Sequence, residues 1–191
     1  ANPNCCTIPL TMVLRPLHEA AGLARARVST YQSRSGGGIE RMDELRATPC
    51  AEAHLDMDWD FDGVDCEEES KLRAETRKIL ELPDLPISVT CVRVPVLVGH
   101  SEAIWVETEE RLSAEDATRA LRDAPGLRVE AVPQPQDAVG IDEVLVGRIR
   151  EDETAENGLV LFLACDNLRK GAALNAVQIA EVVLERRTVA A

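Results

Sequence analysis

Two apolar runs near the C-terminal end, 143–151 (EVLVGRIRE) and 158–166 (GLVLFLACD), are joined by a polar turn through Asn157-Gly158. Runs of this length and composition read as strands, and so short a connection pairs them antiparallel. The hairpin commits the chain to a sheet, and a sheet needs a cover. Residues 7 to about 22 supply one: Leu10, Val13, Leu14, Leu17 and Ala21 recur at helical spacing. Pro9 suits the first turn, and Pro16 is expected to kink or loosen the helix. Further helices are predicted over 39–47, 67–82, 113–124 and 170–187. The second of these is acidic at its start and basic near its end, as the macrodipole prefers. In the third, Ser113 and Asp116 resemble a capping box. Strands are predicted at 26–33, at 127–132 and within 87–110, broken near Val98-Gly99. The expected fold is α+β, a mixed and largely antiparallel sheet of five or six strands covered by helices. Residues 48–65 read as irregular and rich in Asp, with Trp59 and Phe61 as their aromatics.

A length of 191 residues fits one domain. The chain is 45% hydrophobic but only 3% aromatic, so the core must be aliphatic. Its net charge of -13 argues against nucleic acid or a membrane surface as partner, since both require clustered Lys and Arg. The six cysteines form no CxxC pair and have three histidines beside them, which predicts neither a disulfide framework nor a metal site. A reducing, cytoplasmic setting is expected. No stretch approaches the roughly 20 apolar residues of a membrane span.

Several residues invite chemistry. Cys5 follows an Asn-Pro-Asn turn and precedes a helix, where exposed N–H groups and the dipole favour a thiolate. It is either a nucleophile or a buried structural cysteine; Cys6 reads as structural. Arg93 shares a strand face with Ile87, Val89 and Cys91, so its charge needs an anion. That anion is either a structural carboxylate or a substrate carboxylate gripped by the guanidinium fork. His100 is a candidate base if a nucleophilic cysteine lies near it. Glu68 and Lys71 are neighbours on one helix, as a surface pair or a site pair. The SRSGGG turn lets backbone approach a ligand closely, yet no GxGxxG occurs anywhere in the chain.

In this order, NPNC, STYQS, SGGG, ETRKIL, CVRVPVLVGHSE, DEVLVGRIRED and DNLRKGAALNAVQIAE closely resemble the aspartate-β-semialdehyde dehydrogenase family. The resemblance implies a glyceraldehyde-3-phosphate-dehydrogenase-like C-terminal domain, with 1–170 as the catalytic and dimerisation domain. The helix in 171–191 would pack against an N-terminal NADP-binding domain that this chain lacks. It implies Cys5 as nucleophile, His100 as general acid/base and Gln32 as the residue positioning substrate and thioacyl group. Arg93 would bind the substrate carboxylate, and Glu68 with Lys71 would contact the substrate amine and phosphate or carboxylate. Ser35, Gly36, Gly38 and Asn167 would lie at the nicotinamide of NADP. The implied reaction is reduction of aspartyl phosphate to aspartate semialdehyde, with phosphate as co-product, on the way to lysine, threonine and methionine. A homodimer is expected.

The sequence departs from the family pattern at Arg34, Gly37 and Cys6, and residues 48–65 lack the family's usual stretch. A related acyl-CoA or acyl-phosphate reductase and a non-catalytic dimeric fragment are the alternatives. The isolated chain is expected to show no NADP-linked turnover. Its closing helix is expected to expose Leu174, Val177, Ile179, Val182 and Val183.

Overall fold

The computed structural model describes residues 1–47 and 55–189; Cys50 and most of the unplaced acidic segment's first half lie outside them. Helix α1 (Thr7–Ala21) leads into β1 (Leu23–Gln32), a short turn and α2 (Ile39–Ala47). A two-residue hairpin, β2 (Phe61–Asp62) and β3 (Asp65–Cys66), precedes α3 (Glu67–Leu80). Then come β4 (Ile87–Arg93), β5 (His100–Thr108), α4 (Ala114–Asp123), β6 (Leu127–Glu130), β7 (Val144–Asp152), β8 (Gly158–Cys165) and α5 (Leu174–Val189). Six strands form one mixed sheet in the order β4-β1-β5-β8-β7-β6. The outer pairs, β1 with β4 and β6 with β7, are parallel, and the three inner pairs are antiparallel.

Helices α1, α3 and α4 cover one face of the sheet. Leu10, Val13, Leu14 and Leu17 of α1 are fully buried, and they meet the inward residues of the strands, among them Val28, Val89, Ile104, Leu161 and Leu163. Each such side chain contributes about 2 kcal/mol by leaving water. α1 runs through Pro16 without a break. Ser113 caps α4 as its spacing requires, accepting the Asp116 N–H at 3.1 Å. β6 stops at Glu130, short of the predicted 132, just ahead of Pro133, which has no N–H to give. The closing helix opens with a π-helical turn over Arg169–Ala173 before α5 begins. Val177, Ile179, Val182 and Val183 on α5 are exposed as expected, whereas Leu174 is not among the exposed large hydrophobics.

The sheet's register gathers the chemistry at one end. Parallel pairing sets Gln32 at the end of β1 beside Arg93 at the end of β4. Antiparallel pairing sets His100, the first residue of β5, opposite Cys165, the last of β8. The start of α1 lies at the same end, where a Cβ on Gly171 would stand 3.2 Å from the Cys5 carbonyl oxygen. Among the described residues no helix is long and apolar enough to cross a membrane.

Candidate active site

Cys5 sits just ahead of α1. The side chain of Asn4 folds over the helix start, its Oδ1 accepting the Cys6 N–H at 2.8 Å and the Thr7 N–H at 3.4 Å. Those are the donors expected to favour a Cys5 thiolate, and Asn4 takes them instead. Even so, the Cys5 thiol is held well below the usual thiol range. The main cause is a hydrogen bond from the Cys6 thiol, with the His100 ring and the Arg93 charge adding to it against the cost of burial. Cys6 pays the counterpart: burial first, then its donation to Cys5, push its own thiol well up, so it remains the proton holder. The sequence alone reads Cys6 as structural. The adjacent pair Cys5-Cys6 was the available signal, because two thiols in one helical start can share a proton.

His100 is fully buried. Its Nδ1 accepts the Ser33 backbone N–H at 3.0 Å, which places the ring proton of the neutral imidazole on Nε2. Nε2 has no partner among the described groups. The ring nitrogen of His100 and the sulfurs of Cys5 and Cys6 lie within 4.8 Å of one another, a set that could hold a soft metal ion. A ligand at Nε2 would need the opposite tautomer and would cost the Ser33 N–H its acceptor. The geometry therefore suits a proton donor aimed beside the thiolate better than it suits a metal ligand.

Gln32 and Glu68 form the adjoining wall. Glu68, buried, accepts from Asn4 Nδ2 at 2.9 Å and Gln32 Nε2 at 3.1 Å. Arg93 donates through Nη1 to Gln32 Oε1 at 3.4 Å and to the Ser33 carbonyl at 3.1 Å. Its Nε and Nη2 both reach Asp58 Oδ1 at 3.2 Å, and the guanidinium stacks on Trp59 at 4.5 Å. The structural carboxylate left open for Arg93 is therefore present. Lys71 is not brought to this cluster: half-exposed, it pairs with Glu67 at 2.5 Å on the outside of α3.

The glycine turn closes the other side. A Cβ on Gly36 would stand 2.7 Å from Arg93 Nη1 and 3.0 Å from both Cε1 and Nε2 of His100, so bare backbone is what fits there. Gly38, at φ +92, has open space around it. Gly36 and Gly38 are both exposed. Asn167 is committed to the turn itself. Its Oδ1 accepts from Ser33 Oγ at 3.1 Å and the Gly99 N–H at 3.0 Å, and its Nδ2 donates to Ser35 Oγ at 2.9 Å. It braces the turn and fixes Gly99, whose φ of +101 only glycine adopts readily, immediately ahead of His100.

A family model described as the semialdehyde dehydrogenase dimerisation domain matches residues 53–170, more than half of the chain. The chain belongs to the semialdehyde dehydrogenase family. An aspartate-semialdehyde dehydrogenase of Streptomyces akiyoshiensis is 47% identical over 214 aligned positions, covering 96% of this chain and 63% of the relative. The crystal structure of aspartate semialdehyde dehydrogenase II from Vibrio cholerae superposes with a TM-score of 0.90 at 39% identity, over 97% of this chain and 62% of that one. An aspartate semialdehyde dehydrogenase from Candida albicans, solved with NADP, gives a TM-score of 0.74 at 28% identity over 95% of this chain and 56% of its own. The chain thus spans a little over three fifths of the curated relatives it matches. The α+β architecture expected from the sequence, with its mixed sheet, is the one these structures share.

The thiol pair gives a direct test. The pH midpoint of Cys5 alkylation by iodoacetamide is expected to move up in Cys6→Ala, because the hydrogen bond that most lowers the Cys5 thiol is lost. Cys6→Ser, which keeps an O–H donor, is expected to hold it near the parent value. Equal midpoints in all three proteins would remove Cys6 from the account.

Proposed function

We propose that this chain is the catalytic and dimerisation portion of an NADP-dependent, cytoplasmic aspartate-semialdehyde dehydrogenase that works as a homodimer. Its reaction would be the reductive dephosphorylation of L-aspartyl-4-phosphate in lysine, threonine and methionine biosynthesis. The observation that carries this reading is a depressed Cys5 thiol beside the unpartnered Nε2 of His100, at the end of a sheet shared with aspartate-semialdehyde dehydrogenases. The Cys5 thiolate attacks the acyl carbon, the carbon–oxygen bond to phosphate breaks, and a thioester forms. NADPH supplies the hydride when bound, and Ser35, Gly36 and Gly38 would border its nicotinamide end. His100 Nε2 holds the proton that the tetrahedral oxygen exchanges as the aldehyde is released and the thiolate returns. Arg93 orients the substrate through its carboxylate, which is where positioning lowers the barrier. Helix α5 would seat against a nucleotide-binding domain through its exposed Val177, Ile179, Val182 and Val183.

The test runs the reaction in reverse: phosphate-dependent reduction of NADP⁺ by aspartate semialdehyde. We expect turnover when a nucleotide-binding half is supplied, none with the chain alone, and a loss of at least 1,000-fold in Cys5→Ala. Activity that survives Cys5→Ala would exclude the thioester route. Activity with an acyl-CoA but not with aspartyl phosphate would move the chain to a related reductase.

A further inference from the structure

The segment that the sequence left unplaced reaches the site. Asp56 pairs with Arg93 through the backbone, its N–H donating to the Arg93 carbonyl at 3.1 Å and its carbonyl accepting the Arg93 N–H at 2.9 Å. Arg34 bonds to the Asp56 side chain and anchors the segment from the glycine turn. Two residues on, Asp58 arrives on the Arg93 guanidinium with its side chain only 9% exposed, and Trp59 covers the guanidinium face.

A guanidinium has five N–H donors and two edges able to take a carboxylate with two parallel bonds. In Arg93 one edge, Nε with Nη2, is covered by Asp58 Oδ1: Nε donates to it at 3.2 Å and Nη2 stands 3.2 Å from it as an ion pair, while Asp58 Oδ2 lies 3.5 Å from Arg41 Nε. The other edge shares Nη1, which is committed to Gln32 and to the Ser33 carbonyl. One N–H of Nη2 is left. The aligned relative extends over 214 positions against the 191 residues of this chain, so relatives carry stretches with no counterpart here.

We propose that Asp58 is a specificity-determining residue: by occupying the paired edge of Arg93 it reduces a two-point carboxylate fork to a single-point contact. This rests on the reading of Arg93 as the carboxylate anchor. The site then grips a substrate carboxylate weakly and depends on the wall made by Glu68 and Gln32 for orientation. Removing the Asp58 charge while keeping its shape leaves only a neutral acceptor on that edge, one that a substrate carboxylate displaces more readily, and leaves the cation uncompensated, so carboxylate-bearing electrophiles gain.

The experiment uses the chain as it is and needs no turnover. Cys5 is alkylated with 4-bromocrotonate, whose carboxylate stands as far from the reacting carbon as in a four-carbon semialdehyde, and with its uncharged methyl ester. Site-resolved mass spectrometry gives the two rates. In Asp58→Asn the acid-to-ester rate ratio is expected to rise roughly threefold to tenfold, the net worth of about one hydrogen bond. Asp58→Glu, which restores the charge, should return the ratio towards the parent value. Arg93→Gln should lower the ratio about tenfold, and Arg93→Lys serves if that variant does not fold. A ratio that falls or stays level in Asp58→Asn while Arg93→Gln lowers it would overturn the proposal and leave the anchor reading standing. A ratio indifferent to Arg93 would overturn both.

Discussion

Replacing Gly36 by alanine is expected to slow Cys5 alkylation at neutral pH by about 100-fold, and any turnover by at least as much, without unfolding the chain. Gly36 has no positive φ, so alanine costs little in backbone terms. The loss comes from contact. The new methyl would meet Arg93 Nη1 at 2.7 Å and the His100 ring at 3.0 Å. Arg93 has nowhere to retreat, being bonded to Asp58, Gln32 and the Ser33 carbonyl and stacked on Trp59. His100 is tied to Ser33 by its own Nδ1. The two groups that lower the Cys5 thiol after Cys6 are thus both displaced. Alkylation rate against pH measures the effect, and a thermal transition that stays cooperative, lowered by several degrees from the overpacking, provides the folding control. An unchanged rate would mean that neither Arg93 nor His100 activates the thiol.

Glu102 is expected to make folding stability fall as pH rises. It lies on the same face of β5 as His100, is fully buried, and has no partner for either carboxylate oxygen among the described groups. Burial first, and then the neighbouring Cys5 thiolate, push its carboxyl well above the usual range. The folded chain therefore keeps a proton that the unfolded chain releases once pH passes the ordinary glutamate value of about 4.3. More protons bound when folded means stability is lost with rising pH, by as much as about 1.4 kcal/mol per pH unit, until the folded-state value is reached. Cys5 acts with the opposite sign: its depressed thiol adds stability as pH rises from its folded-state value towards the ordinary thiol value. Comparing the parent with Glu102→Gln isolates the first contribution. Urea unfolding at pH 5.5 and pH 8 should show the parent losing stability that the variant keeps. Parallel pH slopes would show that Glu102 is ionised in the folded chain.

Legibility followed distance along the chain. The β7–β8 hairpin, the Ser113 cap and the start of α1 are local, and period and turn chemistry reveal them. The parallel pairing of β1 with β4, which brings Gln32 beside Arg93, joins residues some sixty positions apart and leaves no mark in either strand alone. Resemblance named Cys5, His100, Gln32, Glu68 and Arg93, and these converge. Lys71 carries the same helical spacing whether it turns inward or outward, and it turns outward to Glu67. Asp58 and Trp59 were unreadable because they act from irregular backbone, where no periodicity says which side chain faces the site. Ser33 acts largely through its main-chain N–H, which no side-chain motif encodes.

The thiol's setting also has a history in time. Asn2 bonds to Asn175 at 2.8 Å and to the Ala172 carbonyl at 3.3 Å, and Gly171 lies against the Cys5 backbone. The stretch that carries the nucleophile is thus clasped by residues translated about 170 positions later. At ordinary ribosome speeds that interval is on the order of ten seconds. During it the ribosome holds a growing chain whose cysteine exists but is not yet seated. Reactivity would then arrive late, with the clasp, which makes activation of the thiol a marker for completed synthesis of this region.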